Sequence, residues 1–228
     1  EVLRAGTGAP ARTGTVPELF DNQVRRTPTA VAVSDTGTRL TYRDLDDRSA
    51  ALAGALVAAG VRRGDLVAVA TSRTTSMATA LLAVLRSGAA YLPIDPGYPS
   101  ARIAYMLDDA RPKVVLTDGT TLPDHGLPVV STDAVGRPWR DTVLDPDDAA
   151  SVFYTSGSTG RTTGVAVTHG ALTNRLSSAR SDGSAPPSTS SMICSSSARL
   201  ASSGSPAAQA RARSSRTSVA AEVVMCAP

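Results

Sequence analysis

Glycine and small hydroxyl residues are concentrated in one short run that has the chemistry of an anion-binding loop. Glycine lets the backbone approach an anion closely, and backbone N–H groups together with serine and threonine hydroxyls can surround phosphate oxygens. An apolar segment, residues 149–153, precedes the run and predicts a strand leading into it. The composition is also typical of a Ser/Gly-rich surface loop. The run comprises Thr155, Ser156, Gly157, Ser158, Thr159 and Gly160.

Short apolar runs alternate with helical patterns along the rest of the chain up to residue 176. Thr41 and Asp44 have the spacing of a helix capping box, and the helical period after them ends near Gly60. This alternation predicts an α/β fold with a doubly wound, mostly parallel sheet, whose ligands bind beyond the carboxyl ends of the strands. Strands are predicted at residues 31–33, 39–41, 66–70, 89–94, 113–117, 129–130, 151–154 and 164–168, and further helices at 76–86 and 100–109.

Two commoner nucleotide-binding loops are excluded. A Walker-type loop needs a Gly-Lys pair, and the only lysine of the chain, Lys113, follows a proline. Gly6, Gly8 and Ala11 have the spacing of a dinucleotide fingerprint, but no strand pattern precedes them. The order strand, hydroxyl-rich loop, second short strand is different from both.

An entry segment followed by three core motifs in order makes the chain similar to the adenylation domain of a nonribosomal peptide synthetase. This domain belongs to the superfamily of AMP-forming acyl and aminoacyl adenylating enzymes. The second core motif, at residues 85–96, indicates the branch that activates amino acids. The motifs lie at residues 16–20 with Gln23, at 40–45, at 85–96 continued by 98–103, and at 154–165, so that the resemblance covers about residues 15–176.

The resemblance implies a fold, a reaction and a set of binding residues. The fold would be the N-terminal part of an adenylating enzyme, with an incomplete sheet. The intact domain would use ATP and Mg²⁺ to convert an amino acid into aminoacyl-AMP. It would then load the amino acid onto the phosphopantetheine of a carrier-protein domain, beside a condensation domain. By resemblance, Thr163 and the loop residues at 155–160 would contact the ATP phosphates.

The chain also departs from the family pattern, first of all at the end of the phosphate-loop motif. Thr162 and Thr163 stand where the motif normally has proline and lysine, after Arg161 in its variable place. The family's magnesium-binding acid, ribose-binding aspartate, substrate pocket and C-terminal catalytic lysine lie downstream of the loop, so no catalytic residue is assigned. We therefore expect a fragment that is inactive alone. The alternative, motivated by Thr163, is a non-catalytic nucleotide-binding module or pseudoenzyme.

Charge and composition limit the classes of partner that the chain is expected to bind. Of 23 basic and 20 acidic side chains, five arginines and two acids lie at 177–228, which leaves 18 of each sign before them. A folded part without excess positive charge gives no reason to expect nucleic-acid binding. No apolar run has the ~20 residues of a membrane span, and no signal peptide pattern opens the chain. We expect a cytoplasmic protein.

Three segments are predicted along the chain: a linker at residues 1–14, the adenylation-domain part at 15–176, and a low-complexity tail at 177–228. The tail lacks aromatic residues and is rich in serine, which predicts disorder. A flexible linker and a frame shift in the coding DNA both account for its composition.

Two polar residues outside the loop are assigned structural roles. Asp95 precedes a proline at a predicted strand end, where turn formation is expected rather than catalysis. His169 precedes Gly170 at a strand-to-helix junction, where capping or packing is expected rather than acid–base chemistry.

Overall fold

The computed structural model describes residues 14–139, 143–156 and 162–181. Within these residues it contains five helices and eight strands. The helices are α1 (Val16–Arg26), α2 (Tyr42–Ala58), α3 (Thr75–Arg86), α4 (Ser100–Ala110) and α5 (His169–Ser181). The strands are β1 (Val31–Ser34), β2 (Arg39–Thr41), β3 (Leu66–Ala70), β4 (Ala90–Pro93), β5 (Val114–Thr117), β6 (Val129–Ser131), β7 (Ala149–Ser156) and β8 (Thr162–Thr168).

Hydrogen bonds to side chains fix where the first three helices begin. Capping boxes open α1, with Thr15 and Glu18, and α2, with Thr41 and Asp44. Helix α3 is capped from a distance instead, because the Thr75 N–H donates to an Asp35 carboxylate oxygen at 2.9 Å. That hydrogen bond has the largest effect on the pKa of Asp35, and together with one from the Gly37 N–H it lowers this pKa to about 2. Helix α2 ends before Gly60, whose φ of 91° is the left-handed conformation that glycine favours.

Six strands form the central sheet in the order β6-β5-β3-β4-β7-β8. The first five are parallel to their neighbours, and β8 returns antiparallel to β7. Strands β1 and β2 form a separate antiparallel pair. The mostly parallel sheet predicted from the sequence is therefore confirmed, and its carboxyl edge is the edge at which β7 ends.

Helices cover both faces of the sheet, as a doubly wound fold requires. Val67 and Val69 of β3 pack on one face with α2 and α3. Ala68 and Ala70 alternate to the opposite face, where they pack with α4. Helices α1 and α5 also contribute to the first face, through Val16 and Leu172.

The predicted strands and helices agree with the observed ones to within a few residues at each end. Residues 1–13 and 182–228, which include most of the predicted linker and tail, lie outside the described residues. Helix α5 continues five residues past the boundary predicted at residue 176. No helix in the described ranges is long and apolar enough to cross a membrane.

Candidate functional site

The hydroxyl-rich loop joins two strands of an antiparallel hairpin at the carboxyl edge of the sheet. Thr155 lies opposite Thr163, and Ser156 lies opposite Thr162, in the last rungs of the ladder between β7 and β8. The structure thus brings three of the predicted phosphate-binding residues, Thr155, Ser156 and Thr163, to the base of the loop. The other four, Gly157, Ser158, Thr159 and Gly160, lie outside the described residues.

The chemistry of the hairpin suits a polyphosphate. From residue 149 to residue 168 the sequence has no acidic side chain, and its one ionised side chain is Arg161. Thr163 is exposed and Thr155 half-buried, so that a ligand beyond the carboxyl edge can reach their side of the ladder. Hydroxyl and N–H donors without nearby carboxylates within the hairpin fit an anion better than a cation.

Tyr154 anchors the strand that leads into the loop. Its hydroxyl donates to a carboxylate oxygen of Asp109 on α4, and its ring meets that of Tyr105 edge to face at 6.2 Å. Partial burial and then the Asp109 hydrogen bond raise the pKa of Tyr154. Gly164 and Ala166 are small, which leaves an open cleft of about 500 Å³ between α4 and the hairpin.

We expect Tyr154→Phe to lower the free energy of unfolding by about 1 kcal/mol, because the Asp109 carboxylate loses a donor at a partly exposed site. Urea unfolding measures the change. Tyr98→Phe is the matched control, because its ring stacks under the guanidinium of Arg102 at 4.3 Å and phenylalanine keeps that contact. Equal losses in the two variants would contradict an anchoring role for the Tyr154 hydroxyl.

The carboxylates at the sheet edge are engaged in turns. Asp95 accepts the Gly97 N–H at 2.9 Å and lies 3.8 Å from the Arg73 guanidinium, which confirms its predicted turn role. Asp118 accepts the Ser72 N–H at 2.8 Å, which joins the β3 and β5 ends. Partial burial alone would raise the pKa of Asp118, but hydrogen bonds from Thr120 and Ser72 lower it. The carboxylates of Asp95 and Asp118 thus stabilise the turns at the carboxyl edge of the sheet.

No cluster of three or more potential metal ligands occurs among the described residues. His169 has the structural role, capping or packing, that the sequence predicts. It is 1% exposed, and its Nδ1 accepts the Val16 N–H at 3.4 Å.

Sequence reasoning missed the connection between Tyr154 and Asp109. Tyr154 opened the loop motif but was given no role, and Asp109 lies 45 residues earlier. The spacing of Tyr105 and Asp109, one helical turn apart, indicates only that both lie on one side of α4. Nothing in the sequence indicates that this side meets β7.

Comparison with known proteins supports the family resemblance found in the sequence. Residues 20–199 match the family model described as AMP-binding enzyme. The probable non-canonical nonribosomal peptide synthetase CymA of Salinispora arenicola is 41% identical over an alignment of 175 residues, and the match covers 70% of this chain and 2% of that synthetase.

Solved structures of nonribosomal peptide synthetases have the same fold. The AMPPNP-bound form of FmoA3 is 35% identical with a TM-score of 0.69, over 80% of this chain and 20% of that one. The N-terminal subdomain of NpsA from Klebsiella oxytoca is 29% identical with a TM-score of 0.66, over 72% of this chain and 44% of that one. NpsA has also been solved as an artificial fusion, an adenylation-PCP di-domain.

The chain therefore belongs to the AMP-binding enzyme family. Within that family it corresponds to the N-terminal part of a nonribosomal peptide synthetase adenylation domain. It spans only a small part of the synthetases that it matches.

Proposed function

We propose that this chain supplies the ATP phosphate-binding loop of an amino-acid-activating domain. The observation that carries the proposal is the hairpin: two strands pair up to Thr155–Thr163 and Ser156–Thr162, and the glycine- and hydroxyl-rich segment joins them at the ligand-binding edge of the sheet. The AMPPNP-bound state of FmoA3 supports nucleotide binding by a protein of this fold.

Loop donors would orient and neutralise the phosphates of ATP. Thr155, Ser156, Ser158 and Thr159 would provide hydroxyl groups, while Gly157 and Gly160 would let backbone N–H groups approach. Such fixed donors act by positioning the reacting groups and stabilising charge on phosphate oxygens. In the intact domain, the carboxylate of the amino acid would attack the α-phosphorus, which would form aminoacyl-AMP and release pyrophosphate.

Other partners are proposed from the synthetase resemblance. Mg²⁺ would accompany ATP and neutralise part of its phosphate charge, while the hairpin residues would hold the phosphates. A carrier-protein domain would present the phosphopantetheine thiol that receives the amino acid, and a condensation domain would use it next. The adenylation-PCP fusion of NpsA supports the carrier domain as a partner.

A second candidate, nucleotide binding without adenylation, is motivated by Thr163. A threonine here offers a hydroxyl where the family motif has a cation beside the polyphosphate. Amino-acid-dependent exchange of pyrophosphate into ATP tests this second candidate. Exchange by this chain would establish catalysis and exclude the non-catalytic module, whereas Mg-ATP binding without exchange agrees both with that module and with an adenylation-domain part that is inactive alone.

We expect Thr163→Lys to tighten Mg-ATP binding by about tenfold or more, because an added charged donor near phosphate contributes about 1.5–3 kcal/mol. Isothermal titration calorimetry measures the affinity. Val165→Lys is the matched control: it adds the same charge to the same side of β8, two residues farther from the loop, at a position that is 47% exposed. Equal gains in both variants would indicate general charge attraction and contradict a phosphate site beside Thr163.

A further inference from the structure

His169 provides a hydrogen-bond acceptor to a helix far away in the sequence. It is the first residue of α5 and directly follows β8, the strand that leaves the phosphate loop. Its imidazole is buried, and Nδ1 accepts the backbone N–H of Val16, 153 residues earlier. The backbone N–H of His169 donates to the Asp148 carbonyl at 3.0 Å, which holds the main chain of His169 beside the start of β7.

One backbone N–H group in the N-terminal turn of α1 requires an acceptor from outside the helix. The first N–H groups of a helix have no partner within the helix. In α1, the Thr15 N–H donates to Glu18, the Glu18 N–H donates to the Thr15 hydroxyl, and Pro17 has no N–H. The Val16 N–H is left, and His169 accepts it. His169 therefore completes the cap of α1 from across the fold.

Only a neutral imidazole can accept the hydrogen bond from the Val16 N–H. Since Nδ1 accepts, the proton of the neutral ring is on Nε2. A second proton would turn Nδ1 into a donor that faces the Val16 N–H, at a helix N-terminus that already disfavours positive charge. Protonation would therefore remove one hydrogen bond and add a repulsion.

Charged groups on two other segments act on His169. Glu18 of α1 and Asp148, which precedes β7, both favour the protonated ring, and Arg63 forms an ion pair with Asp148 at 2.7 Å. Burial has the largest effect and lowers the pKa of His169 below its usual value of 6.5. The ring is thus neutral at neutral pH.

We propose that His169 is a positioning residue that holds α1 against the strands of the phosphate-loop hairpin, and that protonation of its imidazole releases α1. The residue that follows β8 and the first turn of α1 are then joined by a hydrogen bond whose acceptor can be protonated. The effect on nucleotide binding rests on the function proposed above, whereas the release of α1 does not.

The sign of the pH effect follows from the lowered pKa. The contact stabilises α1 fully above the unfolded-state pKa of about 6.5, and the stabilisation declines as the pH falls below that value toward the folded-state pKa. We expect the amide protection factors of residues 18–22, measured by hydrogen exchange without nucleotide, to fall about tenfold between about pH 7.5 and about pH 5.5.

His169→Asn is the matched variant, because its amide oxygen takes the place of Nδ1 and cannot be protonated in this range. We expect its α1 protection to change less than about twofold over the same pH step. Identical pH profiles in the two proteins would overturn the proposal. NMR of the wild-type imidazole is a second measurement that needs no variant: a proton on Nδ1 at neutral pH would also overturn it.

Titration with Mg-AMPPNP tests the positioning role at both pH values. We expect the affinity to weaken more in the wild type than in His169→Asn, since protonation of the nucleotide itself affects both proteins equally. Release of α1 with equal loss of affinity would overturn the positioning role. Absence of AMPPNP binding to either protein at neutral pH would count against the proposed function, while the α1 measurement would still decide the release.

Discussion

Replacing Arg86 with methionine is expected to lower the free energy of unfolding by about 3–5 kcal/mol. Arg86 is 4% exposed at the end of α3, and its guanidinium forms ion pairs with Asp46 of α2, at 2.6 Å, and with Asp21 of α1. The guanidinium also lies 5.5 Å from the centre of the Phe20 ring. Removing it takes away the guanidinium that neutralises the Asp46 carboxylate, which is only 12% exposed, and this is why the cost is large.

Arg63→Met is the control for that prediction. Arg63 pairs with Asp148 at 2.7 Å, but its side chain is 49% exposed, so water and salt screen the pair. Its loss should cost at most about 1 kcal/mol. Chemical denaturation of both variants gives the comparison. Similar losses in the two variants would contradict the view that the buried guanidinium joins the three helices.

Replacing Gly54 with alanine is expected to destabilise the chain by about 2 kcal/mol, although alanine is the better helix former by about 1 kcal/mol. A Cβ on Gly54 would lie 1.8 Å from the Arg137 carbonyl oxygen, so the loop over α2 would have to move. The loop is held there by the Gly136 and Trp139 N–H groups, which donate to the carbonyls of Ala51 and Ala50 at 2.9 and 3.0 Å.

Gly37→Ala is the matched control, because nothing lies within 4 Å of a Cβ at that position. Its effect should stay within about 0.5 kcal/mol. Thermal unfolding of the two variants tests the contact. A Gly54→Ala protein as stable as Gly37→Ala would show that the loop does not rest on α2.

The sheet strands could be predicted because each one is marked by its own residues and by the turn residues next to it. Leu66–Ala70 is a short apolar run with turn residues on both sides, and the observed β3 has those bounds. The capping box at Thr41 and Asp44 likewise predicted the start of α2. The equivalent box at Thr15 and Glu18 is also visible in the sequence, but the motif at residues 16–20 carried no helix prediction, and α1 was not predicted.

Contacts between distant segments could not be predicted in the same way. β1 and β2 were predicted as strands, but nothing in their residues indicates that they pair outside the main sheet. Arg86, Asp46 and Asp21 are ordinary charged residues in sequence, and burial alone makes their ion pairs important. For His169, the sequence indicated a structural role at the strand–helix junction, but the acceptor for Val16 requires the fold.

Mapping where a nucleotide binds decides whether the loop is the phosphate site. Mg-AMPPNP is added to the isotopically labelled chain, and the backbone amide shifts are recorded by NMR. We predict that the largest changes fall on residues 155–163, with smaller ones along β7 and β8, and that Mg²⁺ alone does not reproduce them. Changes concentrated elsewhere, such as the cleft beside α4 or the turns at Asp95 and Asp118, would contradict the assignment of the loop as the phosphate site.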